Sequence, residues 1–156
     1  MNRVRRKFIR AVSTSIDIDA SVDTVWRVLT DFERYPIWNS FIKRATGILQ
    51  EGGKLRLSMV APGLFSRSVE VNVTRVQAQS ELRWLGHWIC PGFLDGDHKF
   101  NVVRLSERKV RLIHSETFQG LLVPLVGPQL ERGMETAFGE MNRLLKEEAE
   151  RRVVIG

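Results

Sequence analysis

The chain has 156 residues, of which 43% are apolar and 27% charged, with 12 glycines, five prolines and one cysteine. This composition is that of an ordinary globular domain, and it excludes a disordered chain, a collagen and a disulfide scaffold. Of the net charge of +6, all but +1 comes from five basic residues among the first ten: Arg3, Arg5, Arg6, Lys7 and Arg10. Because the remaining chain is nearly neutral, we expect no nucleic-acid partner.

The sequence predicts a cytoplasmic protein with one domain. Cys90 has no second cysteine to pair with, which is typical of a reducing compartment. The basic segment at the start lacks the apolar stretch of a secretory signal, and no stretch approaches the roughly 20 apolar residues of a membrane span. We assign residues 1–11 to a basic tail or the start of the first strand, and residues 12–152 to the domain.

In chain order, alternation of apolar and polar residues first predicts a strand over residues 8–19. Ser21 then caps a short apolar helix that ends near Asp31, and a broken helical turn runs through Pro36. Five or six strand-like stretches follow, at about 41–50, 53–60, 68–78, 81–89, 97–105 and 109–118. Their short connections predict an antiparallel meander.

In the last part of the chain, the spacing of apolar residues changes from that of a strand to that of a helix. Apolar residues recur with helical spacing at Leu130, Met134, Ala137, Phe138, Met141, Leu144 and Leu145. The pattern predicts one long amphipathic helix with a broad apolar stripe. Because a sheet must cover that stripe, the fold class is α+β.

The order of these elements and several segments resemble the START/Bet v 1-like superfamily, also called the SRPBCC or polyketide cyclase/dehydrase-like group. The segments are Ile16–Ala20, Val25–Phe32, Tyr35–Asn39, Gly96–Phe100 and His114–Leu122. The resemblance covers about residues 12–150. It implies a helix-grip fold, in which a seven-stranded antiparallel sheet wraps the C-terminal helix and encloses a ligand cavity, with two short helices after the first strand.

Residue parity predicts which side chains face inward. In the last strand, one face carries the large apolar residues Val110, Leu112 and Phe118, and we expect this face to point inward. His114 and Glu116 lie on the same face, so they should also point inward. A hairpin turn near residues 106–108 then sets Phe100 opposite His114, and His98 opposite Glu116. We therefore expect a polar cluster of His98, His114 and Glu116 in an aromatic interior.

The cluster has several interpretations, which the sequence leaves open. It is a structural His–Glu pair, a polar patch that orients a ligand, or an acid–base group. A metal site is disfavoured because the residues lack a recognisable ligand spacing, and we expect neither a metal nor a cofactor. Nucleotide, hydrolase, zincin and redox motifs are absent from the sequence. His87 is expected to face outward and Cys90 to be a bystander in a loop.

The expected ligand-binding residues are the polar pair and the large side chains of the inward faces. They are Trp38, Trp84, Trp88, Phe100, His114, Glu116, Phe118, Met134, Phe138 and Met141. Hairpin alternation also groups three apolar loops at one end of the sheet. We expect the ligand to enter there, past Phe65, Phe93, Leu94, Leu122 and Val123.

The leading functional interpretation is binding or carriage of a small hydrophobic ligand, such as a lipid, a polyketide or an aromatic compound. The alternative is a polyketide cyclase/dehydrase-like enzyme or aromatase, with His98, His114 or Glu116 moving protons. A third interpretation is a module whose apolar loop end docks on a protein or, transiently, on a membrane. We expect a monomer or a weak homodimer.

Overall fold

A computed structural model describes residues 8–155 of the chain. Seven strands are present in this part: β1 (Ile9–Ile18), β2 (Ile42–Gly47), β3 (Lys54–Ala61), β4 (Phe65–Gln77), β5 (Glu81–His87), β6 (Asp95–Ser106) and β7 (Lys109–Gln119). The helices are α1 (Val22–Thr30), α2 (Tyr35–Trp38) and α3 (Val123–Ile155), with a 3₁₀ turn at Phe32–Arg34. The predicted α+β class, with seven strands and two short helices after the first strand, is confirmed.

The two short helices begin where the sequence predicts, at a capping serine and near a proline. The Ser21 hydroxyl accepts a hydrogen bond from the backbone N–H of Thr24, at 3.1 Å, as an N-cap does. Val22, Val25, Val28 and Leu29 form the buried face of α1. The short α2 carries Pro36 in its first turn, where the missing N–H costs nothing.

All strand pairs are antiparallel, and the spatial order is β1-β7-β6-β5-β4-β3-β2. Each strand from β2 to β7 therefore lies beside its neighbour in the chain, and β1 closes on β7. The sheet curves around α3, which contacts β1, β7 and β3. This is the predicted helix-grip arrangement, and it sets the inward faces of β5, β6 and β7 against the apolar stripe of α3.

The C-terminal helix is longer than the sequence analysis predicted. The predicted apolar stripe starts at Leu130, and the residues before it were expected to form one of the three apolar loops, but α3 begins at Val123 and includes Pro128. Pro124 lies in the first turn, where no intrahelical N–H bond is needed. Pro128 removes one donor in the second turn, and packing of Val123 and Gly127 holds the segment in the helix. The expectation was wrong because buried contacts outweighed the local breaker.

The β3–β4 hairpin is also tighter than expected. Phe65 already belongs to β4 and pairs with Ala61, so the turn is confined to Pro62, Gly63 and Leu64. Gly63 has a φ of 74°, which suits glycine in such a turn. Within residues 8–155, no helix has both the length and the apolar composition needed to cross a membrane.

Candidate functional site

The inward parity of β6 and β7 brings the predicted polar cluster together. His98, His114 and Glu116 are all buried, and the outward neighbours Lys99 and Ser115 are only partly buried. The pairing register places Phe100 opposite His114 and His98 opposite Glu116. The register prediction is thus confirmed, because the short turn at residues 107–108 fixes it.

A chain of buried hydrogen bonds runs through this cluster into α3 and β1. Nε2 of His98 lies 2.8 Å from Nε2 of His114, and Nδ1 of His114 lies 2.9 Å from Oδ1 of Asn142. Asn142 donates from Nδ2 to Oγ1 of Thr14 at 2.9 Å, and Thr14 donates to the backbone oxygen of His114 at 3.2 Å. Four side chains from four elements therefore orient one another.

The hydrogen bonds of Asn142 show which nitrogen atoms of the two histidines carry protons. Since Asn142 donates from Nδ2 to Thr14, its Oδ1 is the acceptor and Nδ1 of His114 carries a proton. Burial and the neighbouring His98 hold the pKa of His114 well below its usual range, so that ring is neutral. Its Nε2 is consequently a lone pair, and His98 must donate to it from its own Nε2.

Nδ1 of His98 faces the carboxyl group of the neighbouring strand. It lies 3.4 Å from Oε2 of Glu116, within ion-pair range but long for a hydrogen bond. The two side chains are therefore close neighbours that are not joined by a hydrogen bond.

Glu116 is held in an incompletely satisfied position. Its Oε2 is buried and has no hydrogen-bond partner among the described residues. Gly96 makes room for the carboxylate, because a Cβ at residue 96 would lie 2.4 Å from Oε1 of Glu116 and 3.3 Å from Nε1 of Trp88. A buried carboxylate oxygen without a partner is costly, so this atom is available to a ligand or a water molecule.

Aromatic rings enclose the histidines. The ring of Trp84 stacks on His98 with centroids 4.9 Å apart, and Phe138 of α3 stacks on His114 at 3.9 Å. Phe100 lies 4.3 Å from His114. Four of the residues expected to line a cavity therefore pack directly around His98.

Two spaces lie near this cluster. A void of about 20 Å³ is lined by Met59, Val69, Val71, Trp84, Gly86, His87, Trp88, Gly96, His98 and Glu116. An open groove of about 240 Å³ is lined by Ser40, Phe41, Val60, Pro62, Gly133, Thr136, Ala137 and Glu140. The void has the size of about one water molecule, and the groove has that of a small organic group.

Phe41 connects the two spaces. It lines the groove, and its ring is stacked 6.3 Å from His98, which lines the void. Phe41 also meets Phe65 at 6.4 Å and Phe138 at 5.5 Å, both edge to face. Its ring therefore stands between the groove and the polar pair.

The remaining predicted ligand-binding residues take different positions. Phe118, Met134 and Met141 are fully buried in the core between the sheet and α3. Trp88 is half-buried at the void, where it meets the ring of Phe65 at 4.6 Å. Trp38 is buried against Tyr35, with ring centroids 5.2 Å apart.

The three apolar loops do meet at one end of the sheet. Phe65 reaches Trp88 as described, and backbone N–H groups of Leu121 and Leu122 donate to oxygens of the β5–β6 loop at 3.1 and 3.0 Å. Among the expected entrance residues, Phe93 is exposed, Phe65 and Leu122 are partly buried, and Leu94 and Val123 are buried. The position of the entrance stays a prediction.

Two other singled-out residues lie outside the cluster. His87 lies on the outward side of the β5 alternation but is only partly exposed, because it borders the void and its Nδ1 lies 2.6 Å from Oδ1 of Asp95. Cys90 is exposed in the β5–β6 loop. Across residues 8–155, no group of three or more histidine, cysteine or carboxylate side chains is arranged to hold a metal ion. The two imidazoles instead direct their Nε2 atoms at each other.

Sequence reasoning missed Thr14, Phe41, Gly96 and Asn142. Asn142 had a usable signal, since it lies four residues after Phe138 on the apolar stripe of α3, where a polar residue requires a buried partner. For Gly96 the inward parity of β6 was a signal, because a missing side chain on an inward face makes room for another group.

Solved structures with the same fold are found over nearly the whole chain. The Zhui aromatase/cyclase from Streptomyces sp. R1128 has a TM-score of 0.76 at 18% identity, with 94% of this chain and 96% of that chain covered. A START superfamily protein from Mycobacterium smegmatis has a TM-score of 0.72 at 22% identity, covering 90% and 97% of the two chains. Norcoclaurine synthase from Thalictrum flavum has a TM-score of 0.71 at 14% identity, covering 94% and 97%.

At these identities the structural likeness shows the fold alone. No curated protein sequence matches the chain. The predicted resemblance to the START/Bet v 1-like superfamily is nevertheless confirmed, because a family model described as polyketide cyclase/dehydrase and lipid transport matches residues 10–150. The chain belongs to the polyketide cyclase/dehydrase and lipid transport family.

Proposed function

We propose that the protein binds a small, mostly apolar ligand that carries one hydrogen-bonding oxygen, with that oxygen at the pair of His98 and Glu116. The observation that carries the proposal is the buried Oε2 of Glu116, which lacks a hydrogen-bond partner among the described residues beside a small void. A ligand hydroxyl there would donate to this oxygen and satisfy it.

The apolar part of the ligand would occupy the groove and the place of the Phe41 ring. The groove alone has about 240 Å³, somewhat below the roughly 300 Å³ at which small-molecule sites begin. Rotation of Phe41 would join it to the void at His98. Met59, which lines the void, is an unbranched side chain that can adapt to the ligand's shape.

Every group in this proposed site comes from one chain. A monomer is therefore sufficient for binding, and a homodimer is not required. Lipids, polyketides and aromatic compounds all combine an apolar body with few oxygens, and the interior favours the aromatic class because Trp84, Trp88 and Phe41 offer ring faces and edges.

A second candidate function is proton transfer to or from the bound ligand. It is favoured by the position of His98 and Glu116, because an imidazole and a carboxyl group 3.4 Å apart beside a small void are the residue types that act as general acids and bases. The similar Zhui protein is named an aromatase/cyclase and the similar Thalictrum protein a norcoclaurine synthase. A cyclase/dehydrase-like reaction on a carbonyl compound would use this pair.

A pair of probes that differ by one hydroxyl tests the binding proposal. We expect 2-naphthol to quench the fluorescence of Trp84 and Trp88 and to bind more tightly than naphthalene. Glu116→Leu should weaken 2-naphthol binding about tenfold to hundredfold, the range for a lost hydrogen bond to a charged group, and leave naphthalene binding unchanged. Glu70→Leu, a glutamate on the exposed face of β4, serves as the control outside the site.

The outcomes separate the candidates. Equal affinity for both probes in the wild type, or no effect of Glu116→Leu on 2-naphthol, would contradict the role of the polar pair. Glu116→Gln distinguishes binding from catalysis, because the amide keeps a hydrogen-bonding group but cannot exchange a proton. Loss of conversion of a bound substrate in this variant would support proton transfer by Glu116, and equal conversion by the wild type and the variant would exclude that role.

A further inference from the structure

Four large apolar side chains are exposed together at the loop end of the molecule. Ile89 is 67% exposed, Phe93 42%, Leu121 63% and Leu125 78%. The first two lie in the β5–β6 loop, and the other two lie at the junction of β7 and α3. We call these four residues the apolar rim.

Backbone hydrogen bonds make the rim one surface. Leu121 donates to the oxygen of Gly92 at 3.1 Å, and Leu122 donates to that of Phe93 at 3.0 Å. Leu125 follows one turn later, with its N–H 3.0 Å from the oxygen of Leu122. These hydrogen bonds therefore fix the β5–β6 loop beside the start of α3.

The basic segment of the chain is joined to the same end. β1 begins beside the rim, because Ile9 pairs with Gln119 and Gly120 donates to the oxygen of Phe8 at 3.1 Å. Arg3, Arg5, Arg6 and Lys7 directly precede Phe8 in the sequence. The chain thus carries four positive charges within a few residues of the exposed apolar patch.

Two further positive groups lie at this end. Arg67 lies over the ring of Trp88, 5.2 Å from its centroid, and donates to the Trp88 oxygen. The N-terminus of α3 adds the positive end of a helix dipole. The nearby acids are engaged by neighbours, since Glu131 pairs with Arg10 and Asp95 accepts from Gly92 and contacts His87.

We propose that this end of the molecule docks on an anionic lipid bilayer. The basic segment would attract the surface, with roughly a fivefold gain in affinity for each basic residue near it, and the apolar rim would enter the boundary between headgroups and acyl chains. A two-fold contact between copies of the chain fits less well, because it would bring two basic segments together.

The proposal is independent of what occupies the interior. The rim is formed by residues of the loop end, whereas the proposed ligand contacts are His98, Glu116 and the groove beside Phe41. Failure of the 2-naphthol experiment would leave the docking surface as it is. Failure of docking would likewise leave the interior site untouched.

Co-sedimentation with vesicles tests the proposal. The probes are vesicles of phosphatidylcholine alone and vesicles in which about one third is phosphatidylserine, enough to give a strongly negative surface. We expect binding to the anionic vesicles only, and its loss at about 1 M salt, where the Debye length falls to about 3 Å. Equal binding to both kinds of vesicle, or none to the anionic kind, would overturn the proposal.

Matched variants separate the rim from general surface hydrophobicity. Leu121→Ser with Leu125→Ser should reduce anionic-vesicle binding at least about tenfold, from the loss of two buried apolar side chains. The control is Val154→Ser with Ile155→Ser, residues 86% and 73% exposed at the other end of α3, which should bind like the wild type. Unchanged binding in the rim variant, or equal losses in the two variants, would contradict the assignment.

Two further measurements keep the result interpretable. Phe93→Ser alters the rim from the β5–β6 loop. It therefore gives an independent test of vesicle binding if the variant with Leu121→Ser and Leu125→Ser melts at a lower temperature than the wild type. Replacing Arg3, Arg5 and Arg6 by Gln should weaken binding without affecting folding of the described domain. If light scattering shows a concentration-dependent dimer that the rim variants abolish, and no vesicle binding, the rim is a contact between copies and the lipid proposal is rejected.

Discussion

His98 and His114 face each other through their Nε2 atoms, 2.8 Å apart. A contact of this length needs one donor and one acceptor, so the two rings cannot both be imidazolium ions. Because Asn142 holds the proton of His114 on Nδ1, His114 is the acceptor and His98 the donor. This relationship gives the interior a defined direction of hydrogen bonding, which runs from His98 through His114 and Asn142 to Thr14 and so leads away from Glu116.

Protonation of His114 should cost stability. Its pKa is lowered in the folded protein by burial and by His98, whereas in the unfolded chain it is near 6.5. The unfolded state therefore binds more protons below that pH, and the free energy of unfolding should fall by up to about 1.4 kcal/mol per pH unit on acidification from pH 7 to 5. Urea unfolding at several pH values would measure this dependence, and the free energy of unfolding of His114→Gln should change less with pH than that of the wild type. The same pH dependence in both proteins would mean that His114 does not remain neutral.

Asn142 should act as a positioning residue for the histidine pair. Asn142→Leu leaves Nδ1 of His114 and Oγ1 of Thr14 without their partner, so we expect a loss of about 1–3 kcal/mol of stability. Ring ¹⁵N chemical shifts should also change from one tautomer of His114 to a mixture. Asn142→Asp should instead raise the pKa of His114, because a carboxylate favours the imidazolium. A purely structural role would leave the tautomer and the pKa of His114 unchanged.

Gly96 should be intolerant of a side chain. A Cβ would lie 2.4 Å from Oε1 of Glu116, so Gly96→Ala should destabilise the protein by about 1–3 kcal/mol, as overpacking does. The matched control is Gly139→Ala in α3, where no other atom lies within 4 Å of the added Cβ. The higher helix propensity of alanine should raise the free energy of unfolding of this control by about 0.8–1 kcal/mol. Thermal unfolding of Gly96→Ala in a Glu116→Ala background should show a smaller cost. If the cost is the same there, the collision is not with the carboxylate.

Filling the groove should slow ligand entry if the route passes Phe41. Thr136 is exposed on α3 and lines the groove, so Thr136→Trp should reduce the association rate of 2-naphthol at least about tenfold without lowering stability. Thr74→Trp, on the exposed face of β4, is the control. Stopped-flow fluorescence would measure both rates. An unaltered rate in Thr136→Trp, with a slower rate in Phe93→Ser, would place the entrance at the loop end instead.

Much of the site followed from local patterns. Alternation along β6 and β7 identified His98, His114 and Glu116 as inward, and the short turn between the strands fixed which residues pair. The start of α3 could not be obtained in this way. Pro124 and Pro128 are breakers in isolation, and only the packed position of Val123 and Gly127 makes the helix extend through them.

The sequence by itself determined the α+β class and the inward faces of β5, β6 and β7, because periodicity is a property of neighbouring residues and the core has to bury one face. The helix-grip arrangement was implied by the family resemblance. Only the tertiary structure decided the chemistry of the polar cluster. Thr14, His98, His114 and Asn142 come from four elements far apart in the chain, and no local pattern encodes their mutual distances. The direction of their hydrogen bonds exists only when α3 and β1 are packed against the sheet.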